Sequence, residues 1–556
     1  MTSPNATTSL WMNVAMPRTT PLDADARADV CIVGAGIAGL TSAYLLLREG
    51  KKVIVLERGE IGGGETGRTT SHLASDLDDG VAKIEHLHGA DIARLAVASH
   101  AAAIDRIEQI ATDEHIDCQL RRVDAYLFNP PGEDADKLER EYEAVRKTGW
   151  LEASWVPGAP FSAFETGRCL RYTNQAMIHP LQYLQGIARA VVELGGRIHT
   201  QTPVGEKYEA GPPVIVATDS AHTVVAESLI VATNAPAINF FEVQTKQTAM
   251  RSYVIAATIR RGSVPYALFW DTADPYHYAR VQPDPSHHRE LLIVGGEDHK
   301  VGRDDTPEDR FAALEVWARE RFPEMLDVEY HWSGQILEPM DGLAFIGRYP
   351  KHPDIYCITG DSGQGMTHGT LGAMLVSDLI LGRANPWEAM YAPARKRLRT
   401  AGSFIAEHAS NTAQYAAYVT GGDVESPEQI SAGSGAVLRR GTHKVAVYRD
   451  PLGNLHERSA VCTHLGCVVR WNSVEHTWDC PCHGSRFLPL GEVVNGPAVA
   501  PLHHIDTGVA NDQRVEQASA DSFPASDAPS HTPVTGASTL PHRKRRTRNT
   551  RREDVY

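Results

Sequence analysis

Cysteine is scarce in this sequence, which has 8 cysteines among 556 residues. So few cysteines exclude a secreted scaffold held together by many disulfides. The chain also lacks an uninterrupted apolar run of about 18 residues, and its N-terminus has no basic region followed by a long apolar stretch. We therefore predict a cytoplasmic protein with no membrane span and no export signal.

Basic residues are outnumbered in this chain, with 54 Lys and Arg against 69 Asp and Glu and a formal net charge of −15. An acidic chain is poorly suited to bind nucleic acid, so we expect no nucleic-acid partner. The last sixteen residues differ, because seven Lys or Arg lie between Arg543 and Arg552. Residues 511–556 are otherwise rich in Ser, Pro, Thr and Ala, and we predict that they form a disordered basic tail.

A glycine pattern near the N-terminus carries the first sign of chemistry. The apolar runs VCIVGAG and KKVIVLE flank IAGLTSAYLLLREG, which has helical spacing, so the segment predicts a strand, a helix and a second strand. Gly34 permits a tight turn, Gly36 lets backbone N–H groups approach a pyrophosphate, and Gly39 lets the helix pack on the strand. Glu57 ends the second strand and can accept from ribose hydroxyls. This pattern predicts a dinucleotide site but does not separate FAD from NAD.

The segment ERGEIGGGETGRTTSHLAS, which follows the second strand, resembles the D-amino-acid oxidase and glycine oxidase superfamily of flavoproteins. Further segments resemble that superfamily up to about residue 384: IHPLQYLQGIARAVVELGGRIHTQTPV, ESLIVATNAP and MDGLAFIGRYPKHPDIYCITGDSGQGMTHGTLGAMLVSDLILG. The resemblance implies FAD as the cofactor, an α/β FAD-binding domain of the Rossmann type and an interleaved α+β substrate domain. It and the glycine motif assign the following residues to FAD: Gly34, Ala35, Gly36, Ile37, Gly39, Glu57, Arg58, Gly67, Thr69, Thr70, Val204, Ala232, Gly360, Gly363, Gly365, Met366 and Thr367.

The substrate is less clear from the sequence. Amino-acid oxidases of the superfamily hold the substrate carboxylate with arginine, but Glu338 occupies the corresponding stretch WSGQILEPMDG and the loop GDSGQGMTHG has no arginine. A buried carboxylate needs a bidentate cation, so we expect a small amine-type substrate. Glu338 can equally be a solvated or salt-bridged surface residue. By location we take Glu338, Tyr253, Trp332 and His368 as candidate catalytic residues, although clustered aromatic residues are often part of a core.

Four of the cysteines crowd into a short C-terminal stretch that has metal-ligand spacing. Cys462 and His464 form a C-x-H pair, and Cys480 and His483 form a C-x-x-H pair. Two thiolates and two imidazoles are a possible tetrahedral zinc site. However, CTHLGC, CPCHGSRF and NGPA resemble the two cluster-binding loops and the proline loop of Rieske [2Fe–2S] domains.

That resemblance gives each ligand a role. It implies that Cys462 and Cys480 hold one iron and that His464 and His483 hold the other. It also implies a disulfide between Cys467 and Cys482, with two free thiols as the alternative in a reducing cytosol. The family's hydroxyl donor to a cluster sulfide corresponds to Ser485, and Phe487 replaces a tyrosine often found nearby.

Together the two resemblances predict a domain order. The predicted segments are 1–28, an N-terminal extension; 29–400, the oxidoreductase, with FAD-binding parts at 29–90, 179–237 and 341–384 and substrate parts at 91–178 and 238–340; 401–430, a helix end and linker; 431–510, an all-β Rieske domain; and 511–556, the tail. We do not expect a ring-hydroxylating oxygenase, because only about 50 residues follow Gly508 and a mononuclear iron domain needs more.

These segments favour an enzyme that oxidises a small molecule with FAD and passes electrons through the cluster to an unidentified acceptor. The alternative is an electron-transfer or redox-sensing module whose flavin is reduced by a partner protein.

Overall fold

The computed structural model describes residues 7–132, 136–161, 164–236, 241–303, 307–395 and 414–505. The predicted tail (511–556), residues 401–413 of the predicted linker and residues 1–6 lie outside the described residues. Below, residues 7–395 are called the main body and residues 414–505 the C-terminal domain. Among the described residues, no helix combines the length and the apolar character needed to cross a membrane.

The described helices alternate with strands through most of the main body. They are α1 (Ile37–Arg48), α2 (Val81–His88), α3 (Ala90–Asp113), α4 (Asp136–Thr148), α5 (Pro180–Glu193), α6 (Phe241–Gln244), α7 (Pro307–Arg321), α8 (Gly365–Ile380) and α9 (Glu388–Tyr391). The described strands are β1 (Ala26–Val33), β2 (Val53–Leu56), β3 (His72–Leu73), β4 (Arg121–Phe128), β5 (Ala153–Val156), β6 (Cys169–Met177), β7 (Arg197–His199), β8 (Val204–Glu209), β9 (Val214–Thr218), β10 (Thr223–Val231), β11 (Gln247–Ile259), β12 (Leu268–Asp271), β13 (His277–Asp284), β14 (Arg289–Lys300), β15 (Met325–Pro339), β16 (Phe345–Tyr349), β17 (His352–Thr359), β18 (Ser434–Arg440), β19 (His443–Arg449), β20 (Leu455–Ser459), β21 (Arg470–Asn472), β22 (Thr477–Asp479), β23 (Arg486–Phe487) and β24 (Val493–Asn495).

The first sheet has the order β16-β17-β10-β1-β2-β7, with β9 and β8 attached to β10. Strands β17, β10, β1, β2 and β7 run parallel. A parallel sheet covered on both faces needs strands that are apolar throughout, and all four residues of β2 (VIVL) are buried. Helix α1 follows β1 directly and lies against α5 and α8, so the glycine turn lies at the carboxyl end of β1, where such sheets bind ligands.

A second sheet has the order β15-β11-β14-β13-β12-β4-β6-β3, with β5 paired to β6. Its strands pair antiparallel except for β4 and β12. The apolar and β-branched runs RSYVIAATI, ALFWDT, YHYARV and ELLIVGG predict strands, and they form β11 to β14. Most strands of this sheet come from the two segments that the sequence assigns to the substrate domain, 91–178 and 238–340.

The C-terminal domain is made of two small antiparallel sheets, β18-β19-β20 and β21-β22-β23-β24. Trp478 and Phe487 are fully buried between them in its core. The predicted fold class is confirmed: a Rossmann-type α/β part, an α+β part interleaved with it, and an all-β domain at the end of the described chain.

The segment before β1 packs across both parts of the molecule. Trp11 is fully buried, and its Nε1 donates to the carbonyl of Thr69 at 2.7 Å. Thr7 donates through Oγ1 to Oε1 of Glu475 in the C-terminal domain at 2.6 Å. No motif in the sequence of this extension indicates these contacts.

Candidate functional site

The glycine turn after β1 brings three chain segments into close contact. Gly34 has φ +109°, and a Cβ atom there would lie 2.4 Å from the carbonyl oxygen of Ala232. A Cβ atom on Gly39 would lie 1.9 Å from the carbonyl oxygen of Gly34. Both positions therefore require glycine. The N-terminus of α1, which follows the turn, is open toward a cleft.

This cleft encloses about 1840 Å³, including the space at its open mouth. Most residues assigned to FAD from the sequence line it, namely Gly34, Gly36, Ile37, Glu57, Arg58, Thr69, Thr70, Val204, Ala232, Gly363, Gly365 and Met366. The remaining ones are buried and do not line the cleft: Ala35, Gly39, Gly67, Gly360 and Thr367.

Glu57 is held in place beside the turn. Its Oε2 accepts from the backbone N–H of Ala35 at 2.8 Å, and its Oε1 accepts from the backbone N–H of Gly59 at 2.8 Å. These two bonds orient the carboxylate at the end of β2, where a bound dinucleotide would place its ribose. An open helix N-terminus, glycines without room for a side chain and an oriented carboxylate fit FAD.

Helix α8 begins at the other side of the cleft, where Gly365 and Met366 line it. His368 also lines the cleft, with its ring against that of His100 at 4.5 Å between centroids. Burial lowers the pKa of His368 to about 4, so this candidate is neutral at neutral pH.

Near the start of α8, behind the residues that line the cleft, lies a group of interacting carboxylates, Asp78, Asp298 and Glu338, which we call the acidic recess. A Cβ atom on Gly363 would lie 3.2 Å from Oδ1 of Asp78, and Tyr276 donates to that oxygen at 3.4 Å. Burial and the neighbouring carboxylates raise the pKa of Asp78 well above its usual range. Burial, first of all, raises the pKa values of Asp298 and Glu338 to about 7. Glu338 itself is half-buried near the end of β15.

Of the four candidate catalytic residues, His368 alone lines the cleft, and Tyr253 and Trp332 lie in the packed interior. Tyr253 is buried in an apolar core, with its ring stacked on that of His299 at 5.5 Å. Trp332 is fully buried, and its Nε1 donates to the carbonyl of Arg68 at 2.8 Å. Both side chains are part of the buried hydrophobic core.

The two loops with metal-ligand spacing form matching turns. Gly466 donates its N–H to the carbonyl of Cys462 at 3.0 Å, and Gly484 donates to the carbonyl of Cys480 at 3.1 Å. The thiols of Cys462 and Cys480 are buried and close enough to share a hydrogen bond. Ser485 is fully buried beside them.

Both imidazoles and the implied disulfide lie at the same place. The rings of His464 and His483 are 5.1 Å apart and nearly perpendicular, and both Nδ1 atoms are buried. Cys467 and Cys482 form a disulfide that joins the two loops, as the resemblance implied. Two thiols and two imidazoles carried on facing loops fit a [2Fe–2S] cluster of the Rieske type.

Two tyrosines missed by the sequence analysis cover the first of these loops. Tyr415 donates to the carbonyl of Leu465 at 2.6 Å, and Tyr418 donates to the carbonyl of Gly466 at 2.5 Å. Their rings stack 6.4 Å apart. They come from the segment preceding β18, in which the sequence shows only polar, linker-like character.

The C-terminal domain also forms part of the cleft, which the sequence did not reveal. Val494, Asn495 and Gly496 line it together with the glycine turn. Arg58 donates to the carbonyl of Val494 at 2.6 Å, and Asn495 donates through Nδ2 to Oε1 of Glu65 at 2.8 Å. The NGPA segment, assigned from sequence to the cluster alone, thus contacts both sites.

A buried ionic group holds the two parts of the molecule together. Oε1 of Glu475 in the C-terminal domain lies 3.2 Å from Nη2 of Arg251, and its Oε2 lies 3.8 Å from Nη1 of Arg68 and 4.0 Å from Nη2 of Arg486. Burial alone would raise the pKa of Glu475, but the three arginines outweigh burial and lower the pKa to about 2. The carboxylate is therefore ionised and neutralises charge that would otherwise be buried alone.

Comparison with known families agrees with this geometry. Residues 29–379 match the family model of FAD dependent oxidoreductases, and residues 422–507 match that of the Rieske [2Fe-2S] domain. The Rieske 2Fe-2S iron-sulfur protein YhfW of Bacillus subtilis is 33% identical over 503 residues, which cover 88% of this chain and 96% of that protein.

Other similar proteins match the main body. Gamma-glutamylputrescine oxidoreductase of Escherichia coli is 27% identical over 376 residues, covering 65% of this chain and 85% of the relative. The crystal structure of glycine oxidase from Geobacillus kaustophilus has the same fold, with a TM-score of 0.58, 19% identity and coverage of 67% of this chain and 99% of that one. This chain belongs to the family of FAD dependent oxidoreductases, and it carries a Rieske [2Fe-2S] domain after the oxidoreductase part.

Proposed function

We propose that this chain oxidises a small amine with FAD and passes the electrons through its [2Fe–2S] cluster to an external acceptor. The observation that carries the proposal is the shared wall of the cleft, where Asn495 and Gly496 of the C-terminal domain lie alongside Gly34 and Gly36. Redox sites that share a wall suit electron transfer within one molecule. When bound, FAD supplies a two-electron hydride acceptor and the Rieske cluster a one-electron carrier.

The acidic recess supports an amine as the substrate. Asp78, Asp298 and Glu338 attract a cationic ammonium group, and these three carboxylates outnumber the two lysines that act on Glu338, Lys83 and Lys300. With pKa values of about 7, Asp298 and Glu338 can take the ammonium proton at neutral pH. The neutral amine that remains can lose a hydride, which is two electrons and a proton, and become an iminium ion.

One of the relatives supports the same substrate class. The Escherichia coli relative is named gamma-glutamylputrescine oxidoreductase, and that compound carries an amine. His368 lines the cleft as a neutral ring, since burial lowers its pKa to about 4, so it adds no positive charge that would repel an ammonium group.

Anaerobic mixing with a panel of primary amines, diamines and α-amino acids tests the proposal. We expect an amine or a diamine to bleach the flavin absorbance and then to produce the electron paramagnetic resonance signal of the reduced cluster. Glu338→Gln should weaken this reaction about 10-fold or more without preventing chemical reduction of the flavin by dithionite. Glu329→Gln is the matched control, because Glu329 lies on the same strand and pairs with Arg289 at the surface.

Reduction by α-amino acids alone would contradict the substrate class. Reduction by a partner reductase, with no response to any amine, would instead identify an electron-transfer module.

A further inference from the structure

Gln244 lies where the main body meets the first cluster loop. Its Oε1 is 2.7 Å from Nε2 of His464, and its Nε2 donates to the carbonyl of Pro236 at 2.8 Å. The carbonyl of Pro236 accepts hydrogen bonds and cannot donate, so the amide has one consistent orientation. Oε1 of Gln244 therefore faces the histidine, and the bond between them requires a proton on Nε2 of His464.

This contact decides which nitrogen of His464 is available to a metal. A neutral imidazole carries one ring proton, and a proton on Nε2 leaves Nδ1 with a lone pair. Nδ1 of His464 is buried, and Gln244 is itself only 7% exposed. The main body thus selects the tautomer that can bind iron through Nδ1.

The same contact leads back to the cleft. Pro236, which accepts from Gln244, follows Asn234 and Ala235, which line the cleft. Thr359, another lining residue, donates through Oγ1 to the carbonyl of Asn234 at 2.6 Å. The hydrogen bond from Gln244 to Pro236 therefore connects the lining of the cleft to the side chain that contacts His464.

We propose that Gln244 is a positioning residue for the cluster, which fixes the tautomer and orientation of His464 from the main body. The proposal rests on the assignment of His464 as a cluster ligand. A hydrogen bond accepted from Nε2–H makes the imidazole a stronger electron donor, and stronger donation stabilises the oxidised cluster. Gln244 thus lowers the midpoint potential of the cluster.

Two substitutions at this position should move the potential in opposite directions. Gln244→Leu keeps the size of the side chain and removes the acceptor, so the midpoint potential of the cluster should rise. Gln244→Glu keeps an acceptor oxygen and adds negative charge, so the potential should fall. The potentials are measured on the full chain by redox titration with mediators, followed by electron paramagnetic resonance, together with iron, sulfide and FAD contents. No substrate is needed.

Ser473→Ala is the matched control, because Ser473 donates to Glu308 of the main body at 2.6 Å without touching His464. Equal potentials in Gln244→Leu and the wild type, or shifts of the same sign in both Gln244 variants, would overturn the proposal.

If Gln244→Leu loses iron while Gln244→Glu and Ser473→Ala retain it, the loss itself supports the positioning role. Loss of iron from all three variants contradicts the positioning role. A wild-type protein without iron would instead reject the ligand assignment, and a cluster that stays oxidised beside a reduced flavin would reject only the proposed function.

Discussion

At the residue scale, Gly36 tests the flavin site most simply. It lines the cleft at the start of α1, and a Cβ atom there would lie 3.0 Å from Oγ1 of Thr66. We expect Gly36→Val to yield folded protein without flavin, because the added methyl groups fill the space that a pyrophosphate needs. Absorbance spectra and released FAD measure the result. Gly50→Asn is the control, since Gly50 has φ +81° and open space around it; full retention of FAD by the valine variant would contradict the assignment.

Glu338 gives a second prediction, on pH and stability. Burial raises its pKa from 4.5 to about 7 in the folded protein, so the folded state holds this proton more tightly than the unfolded state. The stability that the protonated group contributes is complete below pH 4.5 and is lost as the pH rises to about 7. We therefore expect the melting temperature of Glu338→Gln, relative to the wild type, to rise by about 2 °C or more between about pH 5 and about pH 8. A difference that does not change with pH would contradict the raised pKa.

Residue patterns with a local cause were predictable. Gly34, Gly36 and Gly39 are required by one turn, and the cluster loops carry their ligands within a few residues. Which residues of a strand face the cleft could not be predicted, because neighbouring residues point to opposite faces of the sheet. On β11, Ser252 lines the cleft while Tyr253 enters the apolar core on the other face.

At the scale of elements, the loop between β21 and β22 joins the two parts of the molecule through Glu475. We expect Glu475→Gln to lower the free energy of unfolding by about 3–5 kcal/mol, because Arg251 and Arg68 would keep their buried charge without a counterion. Denaturant titration measures this loss. In the control Glu457→Gln the partner is Arg440, which is 42% exposed, so the cost should stay below about 1 kcal/mol. Equal losses of unfolding free energy in Glu475→Gln and Glu457→Gln would contradict this prediction.

The pH dependence of this buried group has the opposite sign to that of Glu338. The pKa of Glu475 is lowered from 4.5 to about 2 in the folded state, so its contribution is complete above pH 4.5 and is lost as the pH falls to about 2. The stability advantage of the wild type over Glu475→Gln should therefore shrink in acid. An advantage that persists at about pH 2 would contradict this account.

The strands could be predicted from the spacing of apolar residues. The parallel strands are apolar runs, and the strands predicted for the substrate part of the sequence are present. The contacts between distant elements could not be predicted from the sequence. Trp11, Tyr415 and Asn495 lie far apart in sequence from their partners, and no local pattern specifies such contacts.

At the scale of the whole molecule, the C-terminal domain does not stand apart from the main body. Residues 494–496 line the cleft, and His464 contacts Gln244 of the main body. Glu475 lies against the buried guanidinium groups of Arg251 and Arg68. The sequence indicates two redox modules in one chain, and the structure adds that their sites adjoin. That arrangement makes electron transfer within one molecule the central claim of this account.

Rapid mixing of the anaerobic protein with a reducing amine tests that claim most directly. The flavin absorbance should fall first, and the paramagnetic signal of the reduced cluster should follow at a rate that is the same over about a tenfold range of protein concentration. A rate that rises in proportion to protein concentration would mean transfer between molecules and would contradict the account, as would a cluster that stays oxidised while the flavin is reduced.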